Sequence, residues 1–331
     1  MKDAKIPILG ELTLGKTERH LVKLPGLALA DDEPRPVITV SGRKQGPVLF
    51  VNGGVHGGEY PAIETVIRLG KTLDPEKIAG TVILMPVLNL PAFRNRTMFV
   101  CPVDNVNPNR VFPGDPNGSY SEQMVHALIE EFIIHADAYV DLHGGDIPEG
   151  LVPFTICRDG TGPVDEKSKE LAMAFGLPYV LTVSRPIQPA KGSSSYVAAA
   201  ERGVPAVLAE AGGVGQLQED AVALLMDGVR RVMSYLGMIS RQDSAVGTTA
   251  ATTPSVLTAF EWVYSKRAGM WYSRVAAGDV VQEGQEIGSI GSLFGETLET
   301  VVASATGPVL FLTVNPSVQE NGLLMGIGAA D

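Results

Sequence analysis

Cysteine is almost missing from this chain: among 331 residues only Cys101 and Cys157 occur. Two thiols cannot build a disulfide framework, and so low a count fits a reducing compartment. Positive charge is short as well, leaving a net charge of −11. That balance argues against nucleic acid or an anionic membrane surface as a partner. No uninterrupted apolar run approaches the roughly 20 residues that span a bilayer. The opening "MKDAKIPILGELTLGK" lacks the apolar core and small-residue cleavage site of a signal peptide. A cytoplasmic protein with neither membrane nor nucleic-acid partners is the expectation, and a homo-oligomer is compatible with it. Histidine is scarce too. There are five, so the position of each is informative.

What is present is an alternation. The 45% hydrophobic content suffices for a sizeable core. Between residues 47 and 238 short apolar runs alternate with amphipathic segments, the pattern of an α/β fold. The runs are "VLFVNGG", "TVILMPVL", "AYVDLHGG", "FTICR", "YVLTVS" and "AVLAEAGG". Several are nearly all Val, Ile and Leu, as strands buried on both faces require. Segments such as "SEQMVHALIEEFIIHA" and "QEDAVALLMDGVRRVMSYLGM" read as helices. The polar, small-residue stretch 240–254 predicts a linker or surface loop. Beyond it, glycines recur between short Val/Ile runs, which predicts a small all-β module. The expected organisation is a catalytic domain over 1–240 and a β domain over 255–331. In the first, a mixed, mostly parallel sheet is flanked by helices.

The stretch "GGVHGGEYPAIE" holds His56 and, three residues on, Glu59, where a strand gives way to a helix. An imidazole and a carboxylate at this spacing can turn toward one point, and zinc accepts both ligand types. By itself an H-x-x-E arises often by chance. The alternative is a loop histidine beside a helix-capping glutamate. A third candidate ligand is His143, closing "AYVDLHGG". Asp141, two residues earlier, would share its face in a strand, either orienting a ligand histidine or serving structure alone. His126 and His135 fall in a helical pattern and His20 in a polar stretch, so none of these is favoured.

Glu210 ends the apolar run of "VPAVLAEAGG". A glutamate there is costly unless it has a partner or a task. Metal-assisted hydrolysis supplies one, since the attacking water needs a carboxylate to take and return its proton. "NPNRVFPG" contributes Asn109 and Arg110, and "AFRNR" contributes Arg94 and Arg96. A guanidinium can fork onto a carboxylate or steady an oxyanion. His56, Glu59, His143 and Glu210 each fall at or just past the C-terminal end of a predicted strand, the edge where open α/β sheets bind ligands.

With "GGVHGGE", "NPNRVFPG", "DLHGG" and "VPAVLAEAGG" in this order, the chain resembles the succinylglutamate desuccinylase/aspartoacylase family of the zinc carboxypeptidase superfamily. The resemblance implies a zinc carboxypeptidase-like catalytic domain holding one zinc ion per chain through His56, Glu59 and His143. It implies Glu210 as base and then acid, and Asn109 and Arg110 on a substrate carboxylate. Arg96, rather than Arg94, would assist the carbonyl. Pro108 departs from the family's usual "NLNR" without removing either polar residue. The C-terminal module also resembles the family's small β domain. It is similar too to biotinyl and lipoyl carriers, but those need an acceptor lysine, and none follows Lys266. The implied activity is hydrolysis of a small N-acyl amino acid or related amide, the β module narrowing access to the site. The competing expectations are a metallocarboxypeptidase acting on short peptides and a non-catalytic, metal-binding ligand sensor. Glu210 argues against the sensor, which has no use for a base.

Overall fold

A computed structural model of the chain describes residues 6–27, 32–183, 192–244 and 253–329. Its first half runs β1 (Lys16–Val22), β2 (Arg35–Ser41), β3 (Lys44–Asn52), α1 (Tyr60–Thr72), β4 (Ala79–Met85), α2 (Leu90–Asn95) and α3 (Tyr120–Glu131). Then come β5 (Ala138–His143), β6 (Glu149–Leu151), β7 (Phe154–Arg158), α4 (Pro163–Phe175), β8 (Tyr179–Val183), α5 (Ser195–Glu201), β9 (Ala206–Glu210) and α6 (Glu219–Tyr235). The short strand β10 (Ser255–Leu257) follows.

Among the described residues, nine of these strands form one sheet in the order β1-β2-β4-β3-β5-β9-β7-β8-β10. The centre, β4-β3-β5-β9, is parallel. β7, β8 and β10 run parallel to one another but antiparallel to β9, and β1 and β2 form an antiparallel edge. The sheet is therefore mixed and mostly parallel, as expected. Successive strand residues go to opposite faces: Val48 and Phe50 join one core, Leu49 and Val51 the other. Helices α1, α4 and α6 cover the second face through residues such as Leu69, Phe175 and Leu225. Helices α3 and α5 cover the first through Leu128 and Val197. There Phe50 stacks on Phe132 and Tyr139 at ring separations of 5.3 and 5.6 Å. His143 shares the parity of Tyr139, which places it on this first face.

The C-terminal strands are β11 (Ala259–Tyr264), β12 (Gly269–Ser273), β13 (Val280–Val281), β14 (Glu286–Gly291), β15 (Thr297–Val302), β16 (Gly307–Thr313), β17 (Ser317–Val318) and β18 (Leu323–Ala329). They make two antiparallel sheets, one built on β11-β18-β16-β13 and the other on β15-β14-β12-β17. Trp271, Ile287 and Ile290 of one meet Val309, Leu324 and Ile327 of the other in a shared apolar core. The two parts of the chain exchange strands. β10, on the module side of a boundary at 255, pairs with β8 at the edge of the large sheet. β6, from the first part, pairs with β16 of the module. Of the stretch expected to be a linker, Arg241–Ser244 is a short helix, and 245–252 lie outside the described residues.

Candidate active site

Glu59 occupies the position that caps α1, with Pro61 the second residue inside the helix, yet its side chain makes no capping bond. Its carboxylate turns instead to two histidines. Oε1 lies 2.7 Å from Nδ1 of His56, and Oε2 lies 2.9 Å from Nδ1 of His143. All three side chains are buried, with 7% exposure at His56 the largest. The turn after β3 brings His56 and Glu59 to the sheet's edge, and His143 reaches it as the last residue of β5.

The far nitrogen of each ring lies close to an oxygen, through a hydrogen bond at His56 and a charge contact without an aligned hydrogen bond at His143. Nε2 of His56 meets Asn107 Oδ1 at 3.1 Å, and Nε2 of His143 meets Asp141 Oδ2 at 3.0 Å. Asp141 is in turn held by Asn52 Nδ2 and by the hydroxyl of Ser195. Asn109 closes the ring of contacts: its amide N–H donates to Asn107 Oδ1, and its own Oδ1 accepts from the Ser195 N–H at 3.0 Å. Both imidazoles are thereby turned so that Nδ1, not Nε2, faces the shared carboxylate.

Glu210 ends β9 directly beside His143 in the parallel register. Its Oε2 is sealed from solvent and has no hydrogen-bond partner among the described residues. Burial pushes its pKa up, His143 offsets this in part, and the nearby Glu59, Glu149 and Asp141 push it further, to well above the usual carboxylate range. Glu59 behaves oppositely. Burial would raise it, but the His143 and His56 rings prevail and bring it down to about 2. Burial would likewise depress His143, yet Asp141 and Glu59 hold it well above the ordinary value. Several carboxylates thus crowd one pole of a buried site, a field that a dication would relieve.

These residues fit a divalent metal. Their ligand atoms lie within 4.8 Å of one another, and two imidazoles with a carboxylate are a donor set zinc takes in hydrolytic sites. The contact between Glu59 Oε2 and His143 Nδ1 is short, yet Oε2 has no aligned hydrogen bond. Two lone pairs converging on a cation account for that geometry better than a shared proton.

A cavity of about 290 Å³ opens beside the triad, close to the lower end of small-ligand pockets. Asn109, Arg110, Glu149, Tyr196 and Glu210 line it, and so do Phe260, Trp262, Phe311 and Leu323 from the C-terminal strands. Arg110 is steadied by a 2.8 Å bond from Nη1 to the Asn109 carbonyl. Arg96 is not brought to this cavity. It is exposed, and as the left-handed residue ending α2 it leaves the helix toward solvent. Arg94 pairs with Glu33 on the surface. His20, His126 and His135 lie outside the lining as well.

Sequence reasoning missed Asn107, Glu149, Tyr196 and Ser195. Asn107 was in view within "NPNR", but Glu149 and Tyr196 lie in segments with no motif-like spacing. One signal for Glu149 existed in the glycine pairs after His143 and Glu210. A Cβ on Gly145 would come within 2.4 Å of the Glu149 carbonyl oxygen, and one on Gly213 within 2.3 Å. Both pairs admit the backbone of Glu149.

The model of the succinylglutamate desuccinylase/aspartoacylase catalytic domain matches residues 45–236. N-alpha-acetyl-L-2,4-diaminobutyric acid deacetylase of Halomonas elongata is 30% identical over 257 residues, covering 76% of this chain and 73% of that protein. The fold matches the succinylglutamate desuccinylase/aspartoacylase structure from Rhodobacter sphaeroides with a TM-score of 0.82 at 24% identity, covering 97% of this chain and 98% of that one. It also matches the product-bound ectoine utilization protein EutE from Ruegeria pomeroyi with a TM-score of 0.84 at 23% identity, covering 98% and 100%. The matched span contains His56, Glu59, His143 and Glu210, and on these grounds the chain belongs to the succinylglutamate desuccinylase/aspartoacylase family.

Proposed function

We propose that this protein is a zinc-dependent amidohydrolase that removes an acyl group from a small N-acyl amino acid. The observation that carries the reading is the Glu59 carboxylate set between Nδ1 of His56 and Nδ1 of His143, with Glu210 alongside. His56, Glu59 and His143 would hold one zinc ion, which when bound polarises the scissile carbonyl and acidifies water. Glu210 takes the proton as a water oxygen bonds to the acyl carbon. It returns that proton to the nitrogen as the carbon–nitrogen bond breaks, releasing a carboxylic acid and a free amine. Arg110 fixes the substrate carboxylate, and Asn109 positions Arg110 through its carbonyl.

The deacetylase from Halomonas elongata supports this reaction type, and its diamino acid substrate marks the size and polarity to test first. A carboxypeptidase reading is disfavoured, because Phe260, Trp262 and Phe311 wall the cavity at a volume suited to an amino acid. Among the described residues no helix is long and apolar enough to cross a membrane. We place the protein in the cytoplasm, consistent with its two buried free thiols.

The test is turnover of N-acetyl and N-succinyl amino acids against short peptides, with and without chelator, alongside the metal content of the purified protein. About one zinc per chain and chelator-sensitive deacylation are expected. Peptide hydrolysis in their place would reassign the protein as a peptidase. Undiminished deacylation in metal-free protein would remove the metal from the reaction.

A further inference from the structure

The cavity carries a carboxylate that the hydrolytic scheme leaves without a task. Glu149, the first residue of β6, lines it together with Arg110 and Glu210. Its place is fixed from three sides. The Glu149 carbonyl accepts the Val214 N–H at 2.9 Å, and Gly145 and Gly213 admit that carbonyl by having no Cβ. β6 is paired to β16, with Glu149 opposite Thr313. Backbone from both metal-side strands and from the C-terminal module therefore holds this one residue.

Its side chain is poorly partnered by comparison. Oε2 accepts a long 3.4 Å bond from the Asp146 N–H. Among the described residues no lysine or arginine forms an ion pair with it. Burial, with Glu59 and Asp146 nearby, pushes its pKa up to about 7, the mark of a carboxylate short of counter-charge. Arg110 feels the charge of both Glu149 and Glu210, so one small cavity holds charges of both signs, and Glu149 is a carboxylate in its lining that no described lysine or arginine bridges.

We propose that Glu149 is a specificity residue that pairs with a second, free ammonium group on the substrate, so that N-acyl diamino acids are selected over N-acyl monoamino acids. A charge-assisted contact of this kind orients the ligand and penalises its apolar isostere, which leaves the carboxylate unpaired. The proposal rests on the deacylase reading above, and its test separates the two.

The full-length protein would be assayed on Nα-acetyl-2,4-diaminobutyrate and on Nα-acetylnorvaline, which replaces the ammonium by a methyl group. Wild type should favour the first in kcat/KM by about tenfold to a hundredfold. Glu149→Gln should collapse that ratio toward one, chiefly through KM, while Glu149→Asp retains part of it. Calorimetric binding of free 2,4-diaminobutyrate and norvaline to the same three proteins should show the same pattern without requiring turnover. Deacylation of both substrates without preference would overturn the role of Glu149 while leaving the deacylase reading intact. Glu149-dependent binding of the diamine with no hydrolysis of either substrate would do the reverse. Equal losses on both substrates in Glu149→Gln, with no change in their ratio, would mean that the residue only supports the fold.

Discussion

His143 and Glu210 stand opposite each other in the parallel pairing of β5 and β9, each the last residue of its strand. One register thus delivers a metal-type ligand and a proton acceptor to adjacent points of the same edge. Glu210→Gln preserves shape but cannot take a proton. It should retain metal while losing about two to four orders of magnitude in kcat. Near-normal turnover in the metal-loaded variant would show that another group activates the water.

The metal contacts are graded. His143→Ala removes a donor and should strip most of the zinc together with activity, whereas Asp141→Asn leaves the three ligands in place and alters the partner of the far ring nitrogen, along with the bonds that Asp141 accepts from Asn52 and Ser195. The second change should weaken zinc affinity by about 10- to 100-fold without preventing full loading at high metal. Metal titration followed by thermal melting reads both effects, since zinc bound to the native state alone raises Tm. Equal zinc affinity in wild type and Asp141→Asn would show that this carboxylate serves structure only.

The C-terminal module closes the cavity rather than decorating it. Ending the chain after Thr253 would remove β10 from the edge of the large sheet and β16 from beside β6, and would delete Phe260, Trp262, Phe311 and Leu323 from the cavity wall. An insoluble or inactive product is expected. Trp262→Ala is the milder probe. It should raise KM about tenfold through lost apolar contact, with kcat much less affected. A soluble, fully active truncation would show the module to be dispensable.

Removing the metal should expose a pH signature of Glu149. Its pKa in the fold is raised to about 7 from an ordinary 4.5. The folded state therefore holds this proton more tightly than the unfolded chain. The resulting stability is complete below about pH 4.5 and is lost as pH climbs through about 7. Glu59, lowered to about 2, acts in the opposite sense: its contribution is present above 4.5 and lost as pH falls toward 2. Between pH 4.5 and 7.5 the chelated wild type should lose about 2 kcal/mol more stability than chelated Glu149→Gln, allowing for screening at a half-buried group. Denaturant melts across that range measure the difference, and parallel curves would mean that Glu149 titrates normally.

The α/β alternation, the buried parallel strands and the four residues at the strand edge were all legible in the sequence. Each depends on local pattern: apolar runs of strand length, glycines after them, and a rare histidine or a costly glutamate at the junction. The all-β texture of residues 255–331 was legible for the same reason. Arg96, assigned to the carbonyl through the family resemblance of "AFRNR", lies outside the cavity lining. The left-handed end of α2 decides where that side chain goes, and no spacing rule encodes it.

What tertiary structure alone decided is which groups meet. Glu59 could have capped its own helix, and the sequence allowed it; burial between His56 and His143 took its carboxylate elsewhere. Asn107, Ser195 and Asp141 orient two rings from positions up to 88 residues away from one another in the chain, a relation that no short-range periodicity can carry. Glu149 lines the cavity at the start of β6, the strand that pairs with β16 of the C-terminal sheets. The physical reason is common to all three: local sequence sets backbone preference and burial, whereas the partner of a buried polar group is set by whichever distant segment the packed sheet brings within reach.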